Sequence, residues 1–296
     1  MAVTIAQIRE SLFHVTSRVL RRLRRRSEGE AILMRKFEKL HGRKLDLQNP
    51  RTFTEKLSRR MILLNRRNDP MFTMLADKYA ARAWVAGKIG EENLVKLLWH
   101  GTDPGRIPFD TLPHDCVIKT NNASGQVILV QGTPDREAII AKLRGWLKTN
   151  IYWLAREYHY FFIKPRVMVE EFLGSADGSP PLDYRFWCFR GVPEVIQVDD
   201  HAHAINPFYD TRWNLLDVSY RKNARPATVS RPDNLEKMLS IAGTLSQEFD
   251  FVRVDLYNID GRIYFGEMTF TPVAGRFRFQ PDHWDLRLGQ KWELGA

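Results

Sequence analysis

The spacing of apolar residues near the N-terminus predicts a long amphipathic helix. Apolar side chains recur there at intervals of three and four residues, the period that places them on one helix face. They are Ile5, Ile8, Leu12, Val15, Val19 and Leu23. We therefore predict one helix over residues 3–26. A basic cluster over residues 21–26 ends it, where cations suit the negative end of the helix dipole.

Residues 30–100 continue with the helical period and predict a mainly helical region. Thr52 or Thr54 is placed to cap a helix, because a hydroxyl side chain accepts hydrogen bonds from the free amides at a helix start. A further helical stretch is predicted over residues 75–88, and Gly90 follows it as the ending residue.

From about residue 115 the period changes to the alternation typical of strands. Seven short runs rich in β-branched and aromatic residues are predicted as strands. They cover residues 116–120, 126–130, 167–172, 184–189, 194–198, 251–257 and 262–269. Helices are predicted over residues 139–147 and 235–249. Helices mixed with antiparallel hairpins in this way predict the α+β class.

Length and composition indicate a globular protein with several subdomains. The chain has 296 residues, of which 44% are hydrophobic and 27% are charged, so two or three packed units are expected. No run approaches the roughly 18 apolar residues of a membrane-spanning helix. The predicted divisions are residues 1–30 for the basic helix, 31–112 for the helical subdomain, 113–180 for a small mixed subdomain, and 181–296 for a C-terminal subdomain.

The two cysteines, Cys116 and Cys188, lie far apart in apolar segments. Two isolated thiols form no disulfide framework, and no C-x-x-C pair suggests zinc. We therefore expect reduced thiols in the core of a cytoplasmic protein.

The net charge of +10 favours an anionic partner. Charge alone does not choose among a nucleotide, an anionic glycan, a lipid headgroup and a nucleic acid. Two interpretations of the basic helix over residues 1–26 stay open. It docks on the body of the protein or on a second subunit of a homo-oligomer, or it lies on an anionic membrane surface as a peripheral contact. Docking is favoured because most apolar helix stripes are buried.

The most informative segment is the hairpin predicted near the C-terminus. Strand alternation puts Arg253 and Asp255 on one face of its first strand, while Glu267 lies on its second strand. A two-residue turn would leave Asp255 and Glu267 on opposite faces. We expect a three-residue loop with Gly261 in the left-handed conformation, which brings them to one face. In that register Arg253 is opposite Glu267, and Asp255 is the diagonal neighbour of Glu267.

Two carboxylates at that spacing can share a hard cation such as Mg²⁺ through oxygen ligands. Without a cation they would repel each other, and one would tend to stay protonated. Arg253 is placed to neutralise one of them or to meet a phosphate. A surface hairpin with an arginine–glutamate cross-strand pair explains the same spacing equally well.

Two other segments contain candidate nucleotide-binding groups. Lys119 ends a predicted strand, and a loop of small residues that includes Ser124 and Gly125 follows it. Such a loop lets backbone N–H groups approach phosphate oxygens, and a lysine adds a point charge. Glu170 and Glu171 lie near the exit of a later apolar strand, where a carboxylate can meet a ribose. An ordinary hairpin turn and an edge strand with solvated acids are the simpler explanations.

Taken in order, these segments resemble the ATP-grasp superfamily, and more closely its teichuronopeptide-biosynthesis (TupA-like) family. The resemblance covers roughly residues 45–290. Its motifs are NPRTFTEK at 49–56, LADKYA at 75–80, KTNNASG at 119–125, REYHY at 156–160, KPR at 164–166, EEFL at 170–173, DYRF at 183–186, FVRVDLY at 251–257 and FGEMTFTP at 265–272.

The resemblance implies an ATP-grasp fold that holds ATP and Mg²⁺ between two α+β subdomains. Lys119 would contact the phosphates, and Ser124 with Gly125 would cover them, with Lys78 and Lys164 as further phosphate contacts. The residues bordering adenine and ribose would be Glu170, Glu171 and Leu173. Asp255 and Glu267 would hold Mg²⁺, and Arg253 would stabilise the transferred phosphoryl group. Thr269 stands where many ATP-grasp enzymes place a metal-binding asparagine.

The same resemblance implies activation of a carboxylate by ATP and attack of an amine on the acyl phosphate. The expected enzyme couples an amino acid or amine to a carboxylate of a surface polysaccharide or its precursor, and no nucleic acid partner is expected. The first alternative is an ATP-grasp kinase that phosphorylates a hydroxyl group. The second is a non-catalytic basic module that binds a glycan or a nucleic acid, which leaves the ordered motifs unexplained.

Three histidines are further candidates for chemistry. His201 and His203 lie two residues apart beside two acids, but no third spaced ligand supports a metal site. We expect an acceptor-side or loop segment there. His159 is either an acid–base group or a structural histidine between aromatic residues.

Overall fold

The computed structural model describes residues 28–67, 69–174, 181–200, 202–221 and 225–294. The helix predicted over residues 3–26 lies outside these ranges. The helices are α1 at residues 28–41, α2 at Phe53–Arg66, α3 at Pro70–Ala76, α4 at Ala81–Ile89, α5 at Arg136–Leu147, α6 at Tyr152–Ala155, α7 at Leu235–Ser246 and α8 at His283–Lys291. Within the described ranges, no helix combines the length and the apolar character that crossing a bilayer requires.

The strands form two antiparallel sheets. They are β1 at Leu97–Gly101, β2 at Asp115–Thr120, β3 at Val127–Gln131, β4 at Val167–Glu171, β5 at Asp183–Phe189, β6 at Val192–Asp199, β7 at Phe208–Tyr209, β8 at Leu215–Leu216, β9 at Val252–Ile259 and β10 at Arg262–Thr269. The small sheet has the order β1-β4-β2-β3, and the large sheet has the order β10-β9-β5-β6-β7-β8. All seven predicted strands are present, which confirms the α+β class. The sequence did not predict β1, β7 or β8.

Helix α2 begins where the sequence predicted a capped helix. The Thr52 hydroxyl accepts from the Glu55 amide, and the Glu55 carboxylate accepts from the Thr52 amide. This capping box satisfies two amides that the first helical turn leaves free. The helix then directs Phe53 and Leu57 into a fully buried position below the large sheet. The cap therefore fixes the helix against the sheet that carries the candidate site.

The single helical stretch predicted over residues 75–88 is wrong, because the chain breaks between α3 and α4. The Asp77 carboxylate accepts from the Tyr79 and Ala80 amides, at 2.9 and 3.2 Å, and from the Asn121 side-chain amide at 2.8 Å. A short acidic side chain that binds its own backbone competes with helix continuation. The break places Lys78 in a loop that faces both sheets.

The large sheet is covered on both faces. One face packs α7 and α4 in a core that includes Val252, Val254 and Leu256 of β9. The other face packs α2 and α8 in an aromatic core that includes Trp187. Trp187 is the cross-strand partner of Arg253. The aromatic core therefore ends where the candidate polar site begins. The small sheet packs one face on α5 and leaves its other face to the site.

Helix α8 lies so close to the start of α2 that only glycine fits at Gly289. A Cβ there would be 2.7 Å from the Phe53 nitrogen and closer still to the Arg51 carbonyl oxygen. We expect Gly289→Ala to lower the free energy of unfolding by about 1–3 kcal/mol, because the backbones must separate. Chemical denaturation measures this change.

Gly87→Ala in α4 is the matched control, since no atom lies within 4 Å of a Cβ at Gly87. Alanine stabilises an exposed helical position by up to about 1 kcal/mol over glycine. If Gly289→Ala unfolds at the wild-type denaturant concentration, the close approach of α8 to α2 is contradicted.

Candidate active site

The hairpin that carries the candidate acids turns over two residues. The strands β9 and β10 pair Ile259 with Arg262, so Asp260 and Gly261 alone form the turn. Both have positive φ, 50° and 79°, which is the combination of a type I′ turn, whose twist suits a hairpin. The predicted three-residue loop is therefore wrong.

A β-bulge at Gly266 restores the common face that this short turn would remove. The strand β10 pairs Phe265 with Leu256 and then Glu267 with Asp255, so Gly266 is an extra residue in the ladder. One extra residue turns the rest of the strand to the other face. A Cβ at Gly266 would lie 3.0 Å from the Asp255 carbonyl oxygen. Glycine therefore permits the close approach of the two strands.

The bulge also changes which side chains are opposite each other. Asp255 and Glu267, which we call the acid pair, are direct cross-strand partners and not diagonal neighbours. Arg253 is opposite Thr269 and not opposite Glu267 as predicted. The expected common face is thus present, but a different residue produces it.

Arg253 and Asp255 form a buried, bidentate ion pair. The Arg253 Nε lies 2.7 Å from Asp255 Oδ1, and its terminal nitrogen lies 2.5 Å from Oδ2. The same guanidinium reaches Glu267 at 3.8 Å. The Thr269 hydroxyl lies 3.1 Å from both the Arg253 guanidinium and the Glu267 carboxylate. One arginine thus holds both acids in position.

The two acids differ in how strongly they attract a proton. Burial raises the pKa of Asp255 to about 6, and Arg253 and Arg185 oppose that rise. Burial also acts on Glu267, but the charges of Lys78 and Arg253 outweigh it and lower the pKa of Glu267 to about 2. The Glu267 side chain is 34% exposed. Glu267 is therefore an ionised group that a ligand entering the cleft can reach.

Lys78 joins the two halves of the site. Its Nζ lies 3.2 Å from Glu267 Oε2 in the large sheet. The same nitrogen donates to the Ala123 carbonyl, at 3.1 Å, in the loop of residues 121–125, which we call the small-residue loop. The Lys78 amide donates to the Asn121 carbonyl at the start of that loop. The helix break therefore places a cation between the loop and the acid pair.

Lys119 faces the cleft from the small sheet and pairs with Glu170. Its Nζ lies 2.5 Å from Glu170 Oε2, and Arg82 approaches the other oxygen at 3.4 Å. The exposed side chains of Val127 and Leu129 belong to the same face, because they are cross-strand partners of Lys119 and Val117. This face therefore combines an ion pair with an uncovered apolar surface.

Tyr257 connects the two candidate clusters. The charges of Asp183, Glu267, Asp255 and Glu170, together with burial, raise the pKa of Tyr257 well above its usual value. Lys119 lies two residues before Asn121, whose carbonyl accepts from the Lys78 amide, so Lys78 ties the end of β2 to the acid pair. Neither Tyr257 nor Asp183 is among the predicted site residues. Their alternation with Asp255 and Arg185 along β9 and β5 is the signal that could have identified them.

The small-residue loop is anchored at its first residue. The Asn121 side-chain amide donates to Asp77 and to the Lys164 carbonyl, and its oxygen accepts from the Arg166 amide at 2.7 Å. Ser124 and Gly125 form the exposed tip, and Gly125 has a φ of 74°. Backbone amides at such a tip are open to an anionic ligand. Asn121 is thus a supporting residue outside the predicted set of site residues.

The remaining predicted residues differ in how exposed they are. Lys164 is exposed and lines a cleft of about 390 Å³ together with Asp77 and Arg166. Glu171 is exposed at the end of β4, and Leu173 is half-buried just beyond it. The structure thus places Lys78 against the acid pair, pairs Lys119 with Glu170 on the small sheet, and leaves Lys164 and Glu171 nearer solvent.

The family model described as TupA-like ATPgrasp matches residues 55–293 of the chain. This is the TupA-like resemblance that the motifs predicted. The chain belongs to the TupA-like ATP-grasp family. The family has the ATP-grasp fold, which confirms the predicted fold with its helical N-terminal region. None of the curated proteins matches the chain.

Solved structures with some similarity to this TupA-like protein include three ligases. D-alanine–D-alanine ligase from Bacillus anthracis, complexed with ATP, is 15% identical, with 68% of this chain and 56% of that chain covered and a TM-score of 0.42. The corresponding enzyme from Helicobacter pylori is 15% identical, with 75% and 62% covered and a TM-score of 0.44. L-amino acid ligase from Bacillus licheniformis is 13% identical, with 81% and 54% covered and a TM-score of 0.44. The chain spans less than two thirds of each of them.

The acid pair of this TupA-like protein fits a Mg²⁺ ion in its donor set. Arg253 uses one lone pair of each Asp255 oxygen, and a carboxylate has further lone pairs for a cation. Among the described residues, no three histidine, cysteine or acidic side chains converge as a complete metal cage. Mg²⁺ is commonly held by one or two carboxylates together with substrate phosphates and water. Two acids beside the Lys78 ammonium match the protein part of that pattern.

The candidate histidines have different surroundings. His201 lies outside the described residues. His203 is half-exposed, and its Nδ1 lies 2.5 Å from Asp199 Oδ1. His159 is 2% exposed, and its ring centroid lies 4.5 Å from that of Tyr160, with the two rings tilted at 45°. Burial and the charge of Arg60 lower the pKa of His159 to about 3. These surroundings are those of a structural histidine.

We expect acid to destabilise the TupA-like fold through His159. Its pKa is near 6.5 in the unfolded chain and about 3 in the folded protein. The unfolded state therefore binds the proton first, and stability that is present above pH 6.5 is lost as the pH falls towards 3. His159→Gln should show a shallower loss of unfolding free energy between pH 6 and 4 in urea titrations. An unchanged slope would contradict this origin of the acid sensitivity.

Proposed function

We propose that the protein is a Mg²⁺- and ATP-dependent carboxylate–amine ligase that acts through an acyl phosphate. The carboxylate belongs to a surface polysaccharide or its precursor, and the amine is an amino acid or another amine. The observation that carries the proposal is the acid pair, which the bulge at Gly266 brings together beside Lys78 and Arg253. In a TupA-like ATP-grasp protein, this arrangement suits a metal–nucleotide site.

In this proposal the cleft between the sheets holds ATP. Lys119, Lys78 and Lys164 supply positive charge to the phosphates, and the exposed tip at Ser124 and Gly125 supplies backbone amides. Glu170, Glu171 and Leu173 border the adenine and ribose, beside the uncovered apolar face of the small sheet. Lys119 and Lys78 already pair with carboxylates, at 2.5 and 3.2 Å, so both cations are positioned before the nucleotide arrives.

The acid pair would hold Mg²⁺, which neutralises phosphate charge as the phosphoryl group is transferred. Arg253 reaches both acids, so its guanidinium is fixed where negative charge develops on the transferred group. Lys78 keeps Glu267 ionised and ties the small-residue loop to the metal side of the cleft. The protein thus contributes positioning and charge neutralisation, the two contributions on which phosphoryl transfer depends.

The net charge of +10 supports an acidic acceptor such as a uronate-containing glycan. The direct test supplies ATP, Mg²⁺ and a panel of uronates and amines to the purified protein and measures phosphate release. We expect release only when a uronate and an amine are both present, and an amide product that is lighter than the sum of the two substrates by one water. No phosphate release with any pair would reject the proposed activity.

The product mass also separates the two alternatives. A kinase would yield a phosphomonoester, in which the acceptor gains a phosphate group and no amine is consumed. A non-catalytic basic module would bind polyanions in a salt-sensitive manner, and this binding would be unaffected by Asp255→Asn or Glu267→Gln.

The proposed reaction, which consumes ATP and an acceptor, takes place in the cytoplasm. A contact of residues 1–26 with the inner face of the membrane, or with a second subunit, would bring the site to a membrane-linked precursor.

A further inference from the structure

A histidine and a buried aspartate form a pair at the end of β6 that the proposed nucleotide chemistry does not use. Asp199, the last residue of β6, is fully buried, and His203 follows four residues later. His203 Nδ1 lies 2.5 Å from Asp199 Oδ1, while 46% of the His203 side chain is exposed. A buried carboxylate therefore anchors one edge of an imidazole whose other edge is open.

The Asp199 carboxylate is held by groups on three sides. Arg185 donates to its Oδ2 at 2.5 Å and Asn206 donates to the same oxygen at 2.8 Å. Arg221 approaches that oxygen at 3.5 Å. Because these groups hold Oδ2 in place, Oδ1 is directed towards His203. A carboxylate that is fixed in this way selects one orientation of the imidazole.

The backbone at His203 is fixed as well. The His203 amide donates to the Asp200 carbonyl at 2.8 Å, and the Ala204 amide donates to the Asp200 carboxylate at 2.6 Å. His203 has a φ of 56°, in the left-handed region where histidine is found more often than most residues. The turn and these two hydrogen bonds therefore fix the backbone from which the His203 side chain extends.

Hydrogen bonding defines which nitrogen is basic. When Nδ1 carries the proton and donates it to Asp199, Nε2 of the neutral imidazole keeps its lone pair. That nitrogen lies on the open edge of the ring and can accept a proton from a ligand. In a carboxylate–histidine base, the carboxylate orients the imidazole in the same way.

The pair lies on the same sheet face as the acid pair, one arginine away. Arg185 contacts Asp199 at 2.5 Å and approaches Asp255 at 3.9 Å. Asp199 is the cross-strand partner of Asp183, which in turn pairs with Tyr257 of β9. Since neighbouring strands are separated by about 4.8 Å, β6 lies about 10 Å from β9. An acyl group whose phosphate is bound at the acid pair would extend into the space between β9 and β6.

We propose that His203 is the general base for the attacking amine and that Asp199 is its positioning residue; this role rests on the proposed ligase function. The amine nitrogen attacks the acyl carbon of the acyl phosphate, so that a C–N bond forms and the C–O bond to phosphate breaks. Phosphate leaves with that electron pair. The proton lost by the nitrogen passes to His203 Nε2, and from there to solvent.

Other groups near the cleft are less suited to this step. Lys78 and Lys119 are cations paired with carboxylates, so they have no lone pair to offer. Glu157 is the strongest competitor, because its carboxylate accepts at 2.6 Å from the hydroxyl of Thr271, which follows Glu267 by four residues. Glu157→Gln therefore belongs in the same experiment.

The test compares two amines with one uronate, the one that supports the fastest phosphate release in the panel. Hydroxylamine needs little help from a base, because it is largely unprotonated at neutral pH, whereas an amino acid such as glycine is largely protonated. We expect His203→Gly to lower amide formation with glycine about 100-fold or more, the usual contribution of a general base. Hydroxamate formation should stay close to the wild-type rate. Glycine suits the backbone at position 203, since it adopts positive φ without strain.

Exogenous imidazole should restore part of the glycine reaction to His203→Gly, because the deleted ring leaves room for it. A purely structural role would not be rescued. With ¹⁵N-histidine labelling, we expect the His203 signals of the wild type to show a protonated Nδ1 and an unprotonated Nε2, and Asp199→Asn to lose that preference. A protonated Nε2 in the neutral wild-type ring would overturn the assignment.

The outcomes separate this role from the proposed function itself. Wild-type protein that forms neither hydroxamate nor amide rejects the ligase activity and, with it, the base. Wild-type protein that forms both, together with His203→Gly at the wild-type amide rate, rejects only the role of His203. If Glu157→Gln loses amide formation selectively and His203→Gly does not, Glu157 is the general base instead of His203.

Discussion

Replacing Glu267 by glutamine should lower Mg²⁺-dependent ATP turnover at least about 100-fold, the scale on which loss of a transition-state charge contact acts. Glu267 is ionised and partly exposed, and it is the direct partner of Asp255. Glutamine keeps the shape and leaves Lys78 without its counter-ion. The remaining carboxylate would hold Mg²⁺ more weakly. Steady-state phosphate release over a Mg²⁺ titration measures both effects.

The matched control is Glu236→Gln on α7, whose side chain is 78% exposed and pairs with Arg231 at the surface. It should retain the wild-type turnover and the wild-type Mg²⁺ dependence. Circular dichroism should show that both variants fold. Wild-type turnover in Glu267→Gln at limiting Mg²⁺ would mean that the acid pair does not hold the metal.

Arg60→Ala should lower the free energy of unfolding by about 3–5 kcal/mol, as expected when one partner of a buried ion pair is removed. Arg60 is 6% exposed and forms an ion pair with Asp250. It donates to the Phe251 carbonyl at 2.8 Å and stacks at 4.3 Å on the Trp292 ring. The substitution removes all three contacts and leaves Asp250 without its cation. Urea denaturation followed by tryptophan fluorescence measures the loss.

Arg35→Ala removes the same side chain from an exposed position on α1 and should change stability by no more than about 0.5 kcal/mol. Arg60→Met tests what the charge contributes, because it keeps much of the apolar stem while it removes the guanidinium. If Arg60→Ala and Arg35→Ala have the same denaturation midpoint, the buried guanidinium contributes nothing to the packing between α2 and the large sheet.

The regular elements were predictable because their periods come from the chain itself. Every predicted strand is present, since alternation along β9 or β5 reports directly which side chains face the core. The helix break at Asp77 has a partly local cause, because its carboxylate accepts from the Tyr79 and Ala80 amides, but its contact with Asn121 joins residues 44 positions apart. A contact between residues so far apart leaves no pattern in the local sequence.

The bulge at Gly266 had a local signature that the prediction did not use. In β10 the buried apolar residues are Ile263 and Phe265, followed by Met268. The buried residues are two positions apart from 263 to 265 but three positions apart from 265 to 268, and Gly266 lies in the longer interval. An alternation that skips once at a glycine predicts a bulge. The sequence thus suggested the correct face for the acid pair but assigned it to the wrong residue.

The position of Lys78 has a consequence for how this protein can be shortened. A fragment that starts after residue 90 would keep both sheets, with Asp255, Glu267 and Lys119. It would lack Lys78, whose ammonium group lies against Glu267, and the loop at Asn121 would lose its tie to Asp77. The helical region is therefore one wall of the candidate site and not a removable appendage, so a shortened protein that keeps this wall must include α3 and α4.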